Sequence, residues 1–347
     1  MKHEAGFTLI EMLVALALTA TIAVAGSALL TSTLRGADRL TEVAGMAQDI
    51  DLEPSSARAS AAISALRDAV TIDWLQAAVH SRALPGHDDF LLLRFLVARE
   101  FDVGAAADMM RARVRWAAEI NLEATVQEWT GGPGGQPKSA RARAAQQVFY
   151  AGVSGLTMSG APLLVERLGH ADLAGVNREG PELLQLVLKS YTVYLETAFR
   201  LLTAESQKQG RLVRTVCLTD TSGVSTSTLW NINVIRQVAS IGPAYYPEMT
   251  EKVFLVQAPF LAAKCWGLIS PLLPKRTRDK VHIVGKGAAA TLKALEGSVA
   301  PEMIPTFIDG GHARAAECAP ADPVPKSVMA LIAAASQCEY TTEQSKA

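Results

Sequence analysis

Leu212-Val213-Arg214-Thr215-Val216-Cys217-Leu218, then the helix-compatible stretch Thr228 to Ser240, then Val253-Phe254-Leu255-Val256, decide how this chain folds. The two short runs are rich in β-branched and other apolar residues and too short for buried helices, so both read as strands. A helix between two strands carries the chain back across the sheet, which makes the two strands parallel. The alternation continues outward. Leu163-Leu164-Val165 and Val281 to Val284 are further strand candidates, and Glu182 to Ala204, Leu261 to Leu272 and Ala288 to Glu296 are further helices. The expected class is α/β, with a mostly parallel sheet and helices packed on it. The stretch from Leu183 to Leu195 is apolar nearly all round, which places that helix in the interior.

The remaining chain divides around this unit. Asp89 to Arg99 opens on an aspartate suited to an N-cap and sets Leu92, Phe95 and Leu96 at helical spacing, and a second helix follows Asp102. Residues 63–130 therefore read as a helical lobe, 131–144 as a loop built on Gly131-Gly132-Pro133-Gly134-Gly135-Gln136-Pro137, and 145–312 as the α/β lobe. The tail 313–347 is rich in Ala, Pro and Ser, and 35–62 is a linker of small and charged residues. From Phe7 to Leu30 the chain is apolar except for Glu11 and a few hydroxyls. At about 1.5 Å per residue such a run crosses a bilayer core as a helix, so 1–34 is expected to be a single membrane anchor with the folded part on the cytoplasmic side.

Composition removes several functional classes. A formal net charge of -1 over 347 residues gives nucleic acid no global attraction, so any charge-driven partner must meet a local patch. Cys217, Cys265, Cys318 and Cys338 are far apart, and no two of the six histidines have metal-ligand spacing, so neither a metal nor a cofactor is expected. Gly152-Val153-Ser154-Gly155-Leu156 has Leu156 where a nucleophile elbow needs glycine, and Gly285-Lys286-Gly287 lacks the spacing of a phosphate loop. No nucleophile, base and oxyanion donors can be assembled into a set, so the chain reads as a non-enzyme.

Blocks in fixed order carry a resemblance. Phe90-Leu-Leu-Leu-Arg94-Phe95-Leu96-Val97-Ala98-Arg99-Glu100-Phe101-Asp102, Pro162-Leu-Leu-Val-Glu-Arg167-Leu-Gly169, Asp220-Thr-Ser-Gly223, Tyr245-Tyr246-Pro247-Glu248, Val253-Phe-Leu-Val-Gln-Ala258-Pro259-Phe260 and Leu272-Leu-Pro-Lys-Arg-Thr277-Arg-Asp-Lys280-Val281 resemble the Sec14-like (CRAL-TRIO) family over about residues 65–312. The resemblance implies a helical lobe beside an α/β lobe whose sheet floors an apolar pocket, closed by a mobile gate helix. The gate falls on Pro259 to Ser270, with Phe260, Leu261, Trp266 and Leu268 toward the lipid. It also implies a phosphoinositide head-group set at Arg99, Glu248, Thr277 and Lys280, and a phosphatidylcholine contact at Thr215, with Cys217 in place of a second hydroxyl. Glu100 stands where the family has a lysine. Glu248 also has a structural reading, as a helix cap or a partner of Lys252.

The implied function is non-enzymatic binding, transfer or presentation of a phospholipid, with a tocopherol, retinoid or sterol-like molecule as the alternative ligand. The membrane surface is the expected partner, and Lys264, Lys275, Arg276, Arg278, Lys280 and Lys286 give the gate region a local basic character suited to it. Separately, Gly6-Phe7-Thr8-Leu9-Ile10-Glu11 resembles the cleavage and methylation segment of type IV prepilins and pseudopilins, which implies cleavage after Gly6, a new N-terminus at Phe7 and an assembly role for Glu11. A pseudopilin-like structural subunit is the reading that follows from this segment alone.

Overall fold

The computed structural model describes residues 53–70, 88–131, 137–225, 228, 230–260 and 275–312. The anchor and methylation residues Gly6, Phe7 and Glu11, the tail, and the gate residues Leu261, Trp266 and Leu268 lie outside the described residues. Among the described residues no helix is long and apolar enough to cross a membrane.

The helical lobe begins earlier than expected. Helix α1 (Ala57–Ala69) starts inside the stretch read as linker, because the Ser56 hydroxyl accepts from the Ala59 N–H at 3.2 Å and caps it. Helix α2 (Asp88–Ala98) and helix α3 (Val103–Glu119) follow, the latter capped by Asp102, whose Oδ1 accepts from the Ala105 N–H. Helix α4 (Leu122–Thr130) and helix α5 (Ala140–Gln146) have no counterpart in the sequence reading, and α5 shortens the expected loop. Ser139 caps α5 through the Ala142 N–H, a signal hidden by the small and charged residues of the helix itself.

The sheet is five-stranded, in the order β1-β2-β3-β4-β5, formed by β1 (Ala151–Leu156), β2 (Pro162–Glu166), β3 (Thr215–Asp220), β4 (Thr250–Ala258) and β5 (Val281–Gly285). The pairings β2 to β3, β3 to β4 and β4 to β5 are parallel, as the crossover argument requires. Strand β1 was not foreseen. It pairs antiparallel with β2 at the sheet edge, and its glycines at Gly152 and Gly155 suppress the β-rich pattern that marks the other strands. Ser154 is buried in this strand, not raised on a strand-to-helix turn.

Helix α6 (Leu173–Glu179) and the long α7 (Pro181–Gln209) connect β2 to β3. Pro181 suits the first turn of α7, where a missing N–H costs nothing, and Gly210 at φ 68° ends it in the left-handed conformation glycine tolerates. Helix α8 (Ile232–Tyr245) crosses from β3 to β4, the short α9 (Lys275–Lys280) leads into β5, and α10 (Ala288–Leu295) follows it.

Two buried arginines fasten the helical lobe to the α/β lobe. Helix α2 is buried almost all round, yet carries Arg94 at 0% exposure in its middle. Arg94 donates to the carbonyls of Glu248 at 2.6 Å and Val213 at 2.8 Å and to the Ser206 hydroxyl at 3.0 Å, so its charge lies among acceptors on the other lobe. Arg113 of α3 pairs with Glu196 of α7, and Trp116 stacks on Tyr245 with ring centroids 4.0 Å apart.

Candidate functional site

Alternation along the strands gives the sheet two chemically different faces. Leu163, Val165, Val216, Leu218, Phe254, Val256 and Val284 form one apolar cluster with Leu295, Val299, Ile304 and Ile308, so that face is filled by α10 and the chain after it. The other face carries Val153, Leu164, Glu166, Cys217, Thr219, Val253, Leu255 and Ile283, as the registers Leu164 to Cys217 to Val253 and Glu166 to Thr219 to Leu255 to Ile283 show.

Over β1 and β2 this second face meets α7, through Tyr194, Leu195, Ala198 and Phe199. Toward β4 and β5 it opens: Val253, on an interior strand, and Ile283 both keep exposed surface. Glu166 and Tyr191 also keep exposed surface, while burial dominates their titration and raises both. Side chains that are deep and still accessible line a cleft.

At one end of the cleft lies a polar cluster that the sequence reading missed. The Tyr191 hydroxyl donates to Glu166 Oε1 at 2.9 Å, the Tyr194 hydroxyl approaches the same oxygen at 3.5 Å, and Thr219 Oγ1 donates to Oε2 at 3.3 Å. Burial pushes the Glu166 carboxyl above the usual range and the three hydrogen bonds pull it back only in part. The same burial holds the Cys217 thiol and the Tyr194 hydroxyl firmly protonated. The signal was present: Glu166 shares a strand face with Leu164 at the end of an otherwise apolar run, where a carboxylate needs partners. The cleft thus joins an apolar floor to a hydrogen-bonding end, the pattern that suits an amphiphile.

A second polar group occupies the edge where the parallel strands begin. Because β3, β4 and β5 run side by side in register, Arg214, Thr215, Glu248 and Lys280 come to one edge, and the backbone of Thr277 precedes Lys280 in α9. Arg99 follows α2, the helix that Arg94 ties to Glu248 at this edge. Arg99 is partly buried, its Nη1 donates to the Ala98 carbonyl at 3.2 Å, and burial lowers its pKa. Glu248 pairs with Arg214 at 2.5 Å and not with Lys252, which instead donates to Ser298. The Thr215 hydroxyl donates to the Pro162 carbonyl of the neighbouring strand, so it serves the sheet where the resemblance implies a ligand contact. Phe260, just beyond β4, is 77% exposed.

Between the two groups, the turn after β2 is pressed on the turn after β3. A side chain on Gly223 would begin 2.0 Å from the Gly169 carbonyl oxygen, and His170 Nε2 lies 2.9 Å from the Ser222 hydroxyl beside the buried Arg167 and Asp220. Both histidine contacts use the same ring nitrogen, since Asp220 Oδ2 also lies 3.5 Å from Nε2, so this is not the relay of a hydrolase triad. Among the described residues no group of three or more His, Cys, Asp or Glu could hold a metal ion.

Residues 147–310 match the model of the CRAL/TRIO domain and residues 62–112 that of the CRAL/TRIO N-terminal domain. The chain therefore carries a CRAL/TRIO domain with its N-terminal helical domain, arranged as the α/β and helical lobes described above. Residues 1–27 match a different model, the prokaryotic N-terminal methylation motif.

A CRAL-TRIO domain-containing protein, T23G5.2 of Caenorhabditis elegans, is 30% identical over 254 residues, 72% of this chain and 33% of that protein. The SEC14 cytosolic factor of Kluyveromyces lactis is 30% identical over 201 residues, covering 57% of this chain and 64% of its own length, and the Sec14 cytosolic factor of Schizosaccharomyces pombe is 29% identical over 209 residues, 59% and 69%. The chain thus spans a third of the nematode relative and about two thirds of these fungal ones. Among solved structures, the crystal structure of Sfh5 aligns with a TM-score of 0.47 and 17% identity over 66% of this chain and 74% of its own.

Proposed function

We propose that this protein binds a single phospholipid in the cleft over β4 and β5 and carries or presents it at a membrane, without chemical turnover. One observation carries the reading: an interior sheet face that is deep, accessible, apolar along Val253, Leu255 and Ile283, and polar at the Glu166 end. Burying an acyl chain on such a floor gains about 0.8 kcal/mol per methylene. Membership in a family of lipid-binding and transfer proteins supports the same conclusion. The basic residues Lys275, Arg276, Arg278 and Lys280 before β5 favour docking on an anionic bilayer, with the segment from Phe260 to Leu272 acting as the gate.

Mass spectrometry of the chain purified under native conditions tests this. The expected result is one class of lipid co-purifying at near one molecule per chain. A phospholipid supports the reading, a tocopherol, retinoid or sterol-like molecule moves it to the alternative ligand, and a chain free of lipid that also takes none from vesicles ends it.

The methylation motif supports a further element, an N-terminus held at the membrane after cleavage behind Gly6, with the lipid-binding part on the cytoplasmic side. The mature protein should then begin at Phe7 with a methylated amine and resist carbonate extraction. Recovery with Met1 intact and in the soluble fraction would remove it, and assembly into filaments would favour the pseudopilin-like reading instead.

A further inference from the structure

Arg214 stands at the edge where β3 begins, and its position changes what Glu248 can do. Glu248 is the carboxylate that the family resemblance gives to inositol hydroxyls. In this structure its Oε2 lies 2.5 Å from Arg214 Nη2, with the two side chains 7% and 17% exposed. Its backbone is left-handed, at φ 55°, and its carbonyl accepts from Arg94 Nη1 at 2.6 Å. The next residue on each side is joined as well, since the Thr215 N–H donates to the Met249 carbonyl at 2.8 Å. Two consecutive residues leading into β3 thus clamp two consecutive residues leading into β4.

Turning the carboxylate toward a ligand would break a charge-assisted contact out of bulk water and leave Arg214 without its counter-charge. Arg94 adds to that cost. It is fully buried on the other side of Glu248, and burial together with Arg214 brings its pKa down to about 9 while Glu248 pulls it up. Two guanidinium groups therefore depend on one carboxylate, and a neutral polyol offers nothing to replace it.

We propose that Arg214 determines head-group specificity: by holding Glu248 in an internal ion pair, it withdraws the one carboxylate that would read a polyhydroxylated head group, so the chain selects its lipid by phosphate and acyl chains and not by inositol. This rests on the lipid-carrier reading and narrows it.

The test loads the full chain from vesicles holding equal amounts of phosphatidylinositol and phosphatidylcholine, re-isolates it, and quantifies both bound lipids. Wild type should return close to the offered ratio, and Glu248→Gln should return the same. Arg214→Gln, which releases the carboxylate, should raise the inositol share by about tenfold, the effect of about 1.4 kcal/mol of recovered contact. Should either single variant fail to fold, the double variant Arg214→Gln with Glu248→Gln removes both charges together and should keep the wild-type ratio. A severalfold fall in the inositol share with Glu248→Gln or with the double variant overturns the proposal, as does an unchanged share in folded Arg214→Gln. Total lipid bound reports on the carrier reading separately: no lipid of either kind would end that reading and this one together.

Discussion

Arg113 Nη2 lies 2.8 Å from Glu196 Oε2, with both side chains almost fully buried between the helical and α/β lobes. Arg113 also donates to the Tyr245 carbonyl and lies over the rings of Phe199 and Tyr246, while Glu196 takes a second contact from Arg200 at 2.8 Å. Removing one partner leaves the other charged and desolvated. Arg113→Met is therefore expected to cost about 3 to 5 kcal/mol, and Arg113→Met with Glu196→Leu much less. Urea denaturation of the four-member cycle measures this, and equal losses in the single and double variants would contradict it.

Glu166 and Glu196 should respond to pH with opposite sign. Burial would raise Glu196, but Arg113 and Arg200 outweigh it and hold the carboxyl below the usual range, so its stabilisation is present near neutrality and lost as pH falls through the native value. Glu166 is raised by burial, so between the ordinary carboxylate value and its own the native state holds a proton that the unfolded chain has lost. Stability then falls as pH rises through that window. Glu166→Gln keeps an acceptor for Tyr191 without the ionisation, and should gain on wild type as pH climbs from the acid side. Denaturation midpoints at a series of pH values decide it; a gap that stays constant or narrows would show that Glu166 titrates normally.

At the strand-start edge, Lys280→Ala and Arg99→Ala should each weaken loading of anionic phospholipid while melting stays unchanged, since each removes a charge-assisted contact of about 1.5 to 3 kcal/mol. Glu100, with φ 53° just after α2, adds negative charge beside Arg99, so Glu100→Lys should strengthen loading. Vesicle-to-vesicle transfer of a labelled anionic lipid reads all three. Unchanged transfer throughout would mean that the head group is held elsewhere.

What the sequence made legible follows from where its information is local. Strands β3 and β4 show as short β-branched runs and α7 as a long apolar one, because burial on both sides leaves no polar residues to blur the pattern. Strand β1 is an edge strand containing Gly152, Ser154 and Gly155, and an edge strand needs no such run. Helix α5 is made of alanine, arginine and glutamine and is fixed by the Ser139 cap and its packing. The polar groups of the site were harder still. Glu166 with Tyr191, and Arg214 with Glu248, join residues brought together only by the crossovers, so the spacing within any one segment is silent about them. The head-group positions implied by family resemblance reached the right edge of the sheet, but resemblance could not show that Glu248 already has a partner.

Trp230 and Phe260 are 75% and 77% exposed, and they follow β3 and β4, two parallel neighbours whose ends lie side by side. Trp230 immediately precedes α8, the helix that must start at this edge to carry the chain back to the beginning of β4. An indole in water at a sheet edge costs solubility without serving the core, whereas at a bilayer surface its apolar body and N–H donor suit the two sides of the interface. If this edge meets the membrane when lipid exchanges, Trp230→Ala should slow lipid delivery to vesicles severalfold and leave both the melting temperature and the lipid already bound unchanged, because the side chain touches neither core nor cleft floor. Trp230→Phe should restore part of the rate, since it returns the apolar surface without the donor. Transfer rates for the three proteins that coincide, or a loss of bound lipid in Trp230→Ala, would place the docking surface away from this edge.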